Sequence, residues 1–252
     1  MKQFIKNRKN QNISVIIEKV ENPKGLAFIT HGLGDSKDSD HIKLFSKCFL
    51  DNNYNIIRFD TTNTFGESDG KFEDANITTY YEDLEDVLAW SKDQDFYQKP
   101  FILCGHSLGA ICSAFYAENH PEDIKALAPF STVVNVELSR KNYSIQELTD
   151  WEKKGFLIED WGDFKVKIKW SYMQEKEKYD LLKKAYNLTM PVLLMVGELD
   201  DTTTPESQQI LFDALPGKKE LHIIKNAPHT FRDKDHLDEV YDILNNWIKK
   251  ND

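Results

Sequence analysis

Short apolar runs alternate with segments of helical periodicity along most of this chain, and this alternation limits the possible fold more than any other feature. The apolar runs lie at Ile13–Val20, Gly25–Thr30, Asn55–Asp60, Phe101–Cys104, Ile124–Phe130, Pro191–Leu199 and Glu220–Asn226. Between them, stretches such as His41–Asn53 and Thr78–Gln94 carry apolar side chains at helical spacing. Strands that alternate with helices of ten or more residues predict an α/β fold, with a mostly parallel central sheet and helices on both faces.

One long segment interrupts this alternation. From 132 to 187 the sequence becomes charged and aromatic, and it includes Trp151, Trp161 and Trp170 among many lysines and glutamates. Such a stretch is too long for an ordinary loop and too aromatic for a disordered region. We therefore predict a core domain formed by residues 1–131 and 188–252, with residues 132–187 inserted after its sixth strand as a cap, or lid, subdomain.

The charge and apolarity of the chain exclude several classes of partner. Its 42 acidic and 32 basic residues give a formal net charge of -10, which repels nucleic-acid phosphates. The first twenty residues lack the apolar stretch of a secretory signal, and no run of about 18 apolar residues occurs. We expect no nucleic-acid partner, no integral membrane association and a cytoplasmic location, and we make no prediction of oligomeric state.

Metal and disulfide chemistry are also not expected. Cys48, Cys104 and Cys112 are too few and too scattered for a disulfide framework. The histidines and acids show no ligand spacing typical of a metal site. The sequence therefore predicts no metal and no other cofactor.

A serine flanked by glycines follows the apolar run at Phe101–Cys104. In Gly105-His106-Ser107-Leu108-Gly109, the glycines allow a sharp strand-to-helix turn that presents the serine oxygen at the carboxyl edge of the sheet. Serine is a weak nucleophile until a base takes its proton, and that base needs a third group to orient it. We interpret Ser107 as the nucleophile, and an ordinary turn serine is the alternative.

The base is predicted to be His229, which lies in a loop after the last strand. His222 and His236 lie within a predicted strand and helix, His41 and His120 have no motif around them, and the turn is expected to direct His106 away from Ser107. The orienting acid should follow another strand between serine and histidine, where Asp200 and Asp201 stand side by side. We favour Asp200 because it is nearer the strand, with Asp201 as the alternative.

Two backbone N–H groups are candidates for stabilising an oxyanion. Leu108 follows the serine at the start of a helix, and the turn His31-Gly32-Leu33-Gly34 follows an earlier strand. The N–H groups of Leu33 and Leu108 would then point to the same place, and each such donor contributes roughly 2.7–4 kcal/mol in comparable sites. A simple glycine turn at 31–34 is the alternative.

Five segments, in this order and over nearly the whole chain, resemble the α/β-hydrolase superfamily. They are THGLGDS, RFDTTNTFGESDGKF, CGHSLGA, PVLLMVGELDDTTTP and NAPHTF. Within it, the sequence is most similar to serine esterases related to cinnamoyl/feruloyl esterases and to lysophospholipase-like hydrolases. The resemblance implies Ser107, Asp200 and His229 as a catalytic triad, with the Leu33 and Leu108 amides as the oxyanion hole. Thr64-Phe65-Gly66 replaces the Gly-His-Gly of the family's GHGxSDG segment, a change we interpret as one in a supporting loop.

The resemblance implies a serine carboxylesterase that hydrolyses small to medium esters, including aromatic-acyl esters, through an acyl-enzyme. Lysophospholipase, monoacylglycerol lipase and thioesterase activities remain alternatives with the same chemistry. A catalytically silent hydrolase fold that binds a ligand or a partner is an alternative of another class. We further expect Trp151, Trp161 and Trp170 to line the acyl pocket, the alternative being that they anchor the cap to the sheet.

Overall fold

The computed structural model describes residues 1–161 and 165–251. Residues 162–164 of the predicted cap and residue 252 lie outside this description. The strands are β1 (Lys2–Lys6), β2 (Asn12–Glu18), β3 (Gly25–Thr30), β4 (Tyr54–Phe59), β5 (Phe101–His106), β6 (Ile124–Phe130), β7 (Phe156–Asp160), β8 (Lys165–Lys169), β9 (Val192–Gly197) and β10 (Lys219–Ile224). The helices are α1 (Asp40–Asp51), α2 (Ile77–Ser91), α3 (Ser107–Asn119), α4 (Val136–Arg140), α5 (Ile145–Lys154), α6 (Ser171–Lys176), α7 (Pro205–Ala214) and α8 (Lys234–Lys250).

The predicted α/β architecture with a mostly parallel sheet is confirmed. Eight strands form one sheet in the order β1-β2-β4-β3-β5-β6-β9-β10. Pairing is antiparallel from β1 to β2 and from β2 to β4, and it is parallel across the rest of the sheet. Strands β3, β4, β5 and β9 are buried along their whole length, as expected of parallel strands covered on both faces.

Helices cover both faces of the sheet and divide the core into two clusters. One face packs against α1 and α8, through buried side chains such as Phe45, Phe49 and Trp247. The other packs against α2, α3 and α7, through side chains such as Leu84, Ile111 and Leu211. This second cluster also takes in buried residues from the chain between β6 and β9, two neighbouring strands of the sheet.

We call the chain between β6 and β9, residues 131–191, the insert. It holds α4, α5, α6 and an antiparallel hairpin of β7 and β8. Helix α5 begins at a capping box made by Ser144 and Glu147, and it ends at Gly155, whose φ of 75° suits the left-handed end of a helix. These local signals explain why the polar stretch Ile145–Lys154 forms a helix.

No helix among the described residues combines the length and the apolarity that crossing a membrane requires. Cys48, Cys104 and Cys112 are buried and unpaired.

Candidate active site

Ser107 occupies a strained turn between β5 and α3. Its φ of 52° lies in the left-handed region, which a residue other than glycine adopts only at some cost. The flanking glycines, Gly105 and Gly109, allow the backbone of the turn to pack closely against its neighbours. A Cβ atom at Gly105 would lie 2.9 Å from the Gly109 backbone, and one at Gly109 would lie 2.8 Å from Thr30 Cβ. The turn therefore lies tightly against the end of β3.

The structure brings Ser107, His229 and Asp200 together by hydrogen bonds. His229 Nε2 lies 3.0 Å from Ser107 Oγ, and His229 Nδ1 lies 2.8 Å from Asp200 Oδ2. Ser107 begins α3, Asp200 follows β9 by three residues, and His229 follows β10 by five. The carboxyl ends of three parallel strands thus place side chains that are far apart in sequence at one edge of the sheet.

Asp200 is held as an ionised acceptor. Its side chain is fully buried, and it accepts hydrogen bonds from the backbone N–H groups of Thr202 (2.9 Å) and Thr203 (2.7 Å) and from the Thr203 hydroxyl (2.8 Å). Burial alone would raise the pKa of Asp200, but the hydrogen bonds from His229 and Thr203 hold that pKa below its ordinary value. The neighbouring Asp201 is exposed and contacts the Thr202 hydroxyl at 3.3 Å.

Sequence reasoning missed Thr203, whose hydroxyl also lies 3.3 Å from His229 Nδ1. Thr203 therefore contacts both the acid and the histidine. The only available signal was its place in the turn Asp200-Asp201-Thr202-Thr203 before α7, where hydroxyl side chains commonly bond to nearby backbone.

The loop after β3 lies directly against the serine. A Cβ atom at Gly32 would lie 3.1 Å from Ser107 Cβ, and Leu33 lines the same cavity as Ser107 and His229. Leu108 is the second residue of α3, so its N–H belongs to the first helical turn, where amides lack a partner within the helix. Both predicted oxyanion donors thus lie next to the serine.

His106 links the loops around the serine. As expected, its side chain turns away from Ser107; its Nε2 lies 2.9 Å from the His229 carbonyl oxygen. Its Nδ1 lies 3.7 Å from Asp35 Oδ2, and His41 Nε2 approaches the same carboxylate at 3.5 Å. Burial lowers the pKa of His106 to about 3, so the ring is neutral.

Asp35, His41 and His106 also form the group of described residues whose geometry comes nearest to that of a metal site, with their ligand atoms within 4.8 Å of one another. The two carboxylate contacts, at 3.5 and 3.7 Å, are longer than ordinary hydrogen bonds. We interpret the group as a partly buried acid between two buried imidazoles.

A cavity of about 490 Å³ opens above Ser107. Its walls come from the loop after β3, the His229 loop and the insert, and they include Trp161. The Trp161 ring lies against Gly34, where a Cβ atom would overlap it, and its indole N–H donates to Glu159 at 2.9 Å. The hairpin of the insert thus contacts the loop that carries Leu33.

The three tryptophans predicted to line the pocket lie in different places. Trp161 lines the cavity above Ser107. Trp151 is buried inside the insert against Tyr143 and Trp170, and its indole N–H donates to the Ile168 carbonyl at 3.0 Å. Trp170 lines a separate surface cavity. These contacts give Trp151 and Trp170 a packing role within the insert itself.

Two family models match the chain over more than half its length. One, described as serine aminopeptidase, S33, matches residues 21–159. The other, described as PhoPQ-activated pathogenicity-related protein, matches residues 92–252. The sequence has no significant match among curated proteins.

Solved structures of similar fold cover nearly the whole chain. Est1E from Butyrivibrio proteoclasticus with ferulic acid bound is 20% identical, with a TM-score of 0.85 over 99% of this chain and 98% of that chain. Alpha/beta hydrolase domain-containing protein 10 from mouse is 21% identical, with a TM-score of 0.82 over 100% of both chains. The esterase domain of a Rhodothermus marinus protein is 21% identical, with a TM-score of 0.75 over 99% of this chain and 98% of that chain. These similarities establish the fold.

Proposed function

The chain belongs to the α/β-hydrolase superfamily, through the serine aminopeptidase S33 model that covers more than half of it, and from this premise we propose that it is a serine carboxylesterase. One observation carries the proposal. The hydrogen bonds that join Ser107, His229 and Asp200 run in the order that activation of a serine requires. The strained backbone of Ser107, next to two candidate oxyanion donors, supports it further.

The proposed reaction forms and then hydrolyses an acyl-enzyme. Ser107 Oγ attacks the ester carbonyl carbon while His229 Nε2 takes the hydroxyl proton. The carbonyl oxygen becomes an oxyanion that accepts hydrogen bonds from the Leu33 and Leu108 N–H groups. The C–O bond to the alcohol breaks, and the proton on His229 passes to the departing alkoxide. A water molecule then attacks the acyl carbon while His229 takes one of its protons. The bond to Ser107 Oγ breaks, Ser107 regains a proton from His229, and the carboxylic acid is released.

Asp200 has two roles in this scheme. Its carboxylate fixes the tautomer in which His229 Nδ1 carries a proton and Nε2 is free to accept one. It also stabilises the imidazolium that forms when His229 takes the serine proton. The hydrogen bonds from Thr202 and Thr203 support both roles because they keep the carboxylate ionised and fixed in orientation.

The cavity favours small to medium acyl groups. Its volume of about 490 Å³ falls in the usual range for small-molecule sites, and its walls combine Trp161 and Tyr143 with polar side chains. An aromatic wall suits a flat acyl group, and a relative of this fold binds ferulic acid. We therefore propose that residues 132–187 act as a cap that forms the acyl pocket. The predicted cytoplasmic location remains a prediction from the sequence.

A labelling experiment and an ester panel test the proposal. The purified protein is treated with a fluorophosphonate probe and the modified residue is mapped by mass spectrometry, beside p-nitrophenyl esters of rising acyl length and methyl ferulate. We expect label on Ser107 and no turnover above background by Ser107→Ala. Absence of both labelling and ester turnover would favour the silent binding fold, and label on another residue would overturn the assignment of Ser107.

A further inference from the structure

Two polar side chains of α6 face the cavity that contains Ser107. Tyr172 and Lys176 both line it, and they stand four residues apart, so they lie on one face of the helix. Lys176 is 7% exposed and Tyr172 is 8% exposed. Because the polar ends of buried side chains need partners, this pairing requires an explanation.

The Lys176 ammonium has no hydrogen-bond or ion-pair partner among the described residues. It lies 4.4 Å from the centre of the Tyr172 ring, and the face of an aromatic ring attracts a cation such as this ammonium. Burial lowers the pKa of Lys176 to about 8, and the nearby Glu159 carboxylate opposes that shift. With a pKa about one unit above neutral pH, Lys176 is mostly protonated at pH 7. It is buried beside a cavity in which a substrate is proposed to bind.

Tyr172 adds a neutral donor beside this cation. Burial raises the pKa of Tyr172 well above its ordinary value, so the hydroxyl keeps its proton. Within the part of the chain that the structure describes, that hydroxyl makes no hydrogen bond. The ammonium and the hydroxyl are both hydrogen-bond donors, and a carboxylate has two oxygens that can accept from them.

The acidic side chains around the cavity have partners of their own. Glu159 accepts hydrogen bonds from Trp161 Nε1 at 2.9 Å and from the Tyr143 hydroxyl at 3.4 Å. The Asp35 carboxylate faces His41 and His106. Asp201 and Arg232 also line the cavity, and both are exposed. Lys176, in contrast, is a buried lysine in the cavity wall.

We propose that Lys176 and Tyr172 bind a carboxylate on the acyl group of the substrate, so that this enzyme prefers half-esters of dicarboxylic acids to neutral esters of equal length. The inference rests on the esterase function proposed above. The acyl group remains attached to the serine until water attacks, so a buried anion site holds it in place through both steps of the reaction. A charge-assisted hydrogen bond in this buried place contributes more than the same bond in water.

The test compares two esters that share a leaving group. Mono-p-nitrophenyl glutarate and p-nitrophenyl valerate both have five-carbon acyl chains. The acyl chain ends in a carboxylate in the glutarate and in a methyl group in the valerate. We expect the ratio of kcat/KM for glutarate over valerate to fall at least tenfold in Lys176→Met, and to be largely retained in Lys176→Arg. Tyr172→Phe should lower the ratio less, because it removes only the neutral donor.

Two further measurements separate this role from a structural one. Glu159→Gln removes a carboxylate that repels a bound anion but also supports the charge of Lys176. We therefore expect it to raise the glutarate/valerate ratio at pH 6, where Lys176 stays protonated. In the unmodified enzyme the ratio should fall as pH rises through about 8, since Lys176 then loses its charge. Titration of the triad affects both esters alike and cancels in the ratio. Lys178→Met is the matched control, because Lys178 is exposed and pairs with Glu175.

The outcomes distinguish this inference from the proposed function. Valerate hydrolysis that depends on Ser107, with a glutarate/valerate ratio unchanged by Lys176→Met and by pH, would overturn the carboxylate site and leave the esterase intact. If Lys176→Met fails to fold, the pH dependence and Tyr172→Phe still decide the question. Hydrolysis of neither ester by the unmodified protein, without labelling of Ser107, would overturn the proposed function itself.

Discussion

At the scale of single residues, Asp200 and Asp201 show how position decides the role of a carboxylate. The two are adjacent in sequence and chemically identical. Asp200 is buried and contacts His229 Nδ1 at 2.8 Å, whereas Asp201 is exposed at the cavity rim. Only the first can hold a histidine in one tautomer.

We therefore expect Asp200→Asn to lower kcat by about 10⁴, the loss known from the corresponding serine-protease substitution, because the amide favours the wrong histidine tautomer. Asp201→Asn, the matched control, should change kcat less than about threefold. Both are measured on one p-nitrophenyl ester after thermal melts have shown that each variant folds. A larger loss in Asp201→Asn would reverse the assignment.

Part of the candidate site could be predicted from sequence at this scale. The glycine-flanked serine, the acid after β9 and the histidine after β10 each follow a strand, and parallel strands bring their carboxyl ends to one edge. Thr203 and Lys176 could not be predicted, because their roles depend on which side chains the fold places beside them. The different positions of the three tryptophans follow from packing inside the insert, which the sequence pattern does not encode.

At the scale of elements, the turn between β5 and α3 depends on close backbone contact. A Cβ atom at Gly109 would overlap the His31 carbonyl oxygen, which belongs to the backbone and cannot rotate away. At Gly25 a Cβ atom would approach only the edge of the Tyr54 ring, at 2.9 Å.

Gly109→Ala should therefore lower the free energy of unfolding by about 1–3 kcal/mol, the usual range for overpacking. Gly25→Ala should cost less, because a ring can shift and alanine restricts the unfolded chain. Denaturant titration of both variants provides the measurement. Equal losses would indicate that the backbone contact at Gly109 can relax.

The hairpin of β7 and β8 provides a second element-scale prediction. We expect Trp161→Ala to change the ratio of kcat/KM for an aromatic-acyl ester over an acetyl ester by tenfold or more, since its ring lines the cavity. Trp151→Ala should lower the melting temperature and leave that ratio within about twofold, because Trp151 is buried inside the insert. A changed ratio in Trp151→Ala alone would contradict these assignments.

The central strands could be predicted because each is an apolar run bounded by turn residues. The edge strand β1 was missed, since Lys2–Lys6 is short and mostly polar. The hairpin was also missed, although β8 alternates buried Val166 and Ile168 with lysines, which is the pattern of a half-buried strand. Its charged side chains obscured that alternation.

At the scale of the whole molecule, one buried acid couples stability to pH. Glu118 of α3 is 1% exposed, and among the described residues neither of its carboxylate oxygens has a hydrogen-bond partner. Burial raises its pKa to about 8, with Lys184 opposing the shift and Asp180 adding to it. The folded protein thus keeps a proton that the unfolded chain releases near pH 4.3, so Glu118 lowers stability as pH rises from about 4.3 to 8.

Glu118→Gln removes this dependence with little change in shape. We expect the melting temperature of the variant, relative to the unmodified protein, to rise by roughly 5 °C or more between pH 5 and pH 8. Glu122→Gln, at an exposed glutamate after the same helix, is the control and should follow the unmodified protein. Parallel melting curves for Glu118→Gln and the unmodified protein would show that Glu118 is ionised in the fold.

The side chain of His106 is shared by segments that lie far apart in sequence. It contacts the His229 carbonyl and approaches Asp35, while its own backbone precedes Ser107. These contacts therefore limit which of the loops can be replaced separately by loops from another protein. A loop grafted from a hydrolase with a different residue at the position of His106 would bring a surface shaped to that other residue. Chimaeras should keep their activity when residues 31–35, 106–107 and 229 come from one parent, and lose it when a crossover separates them.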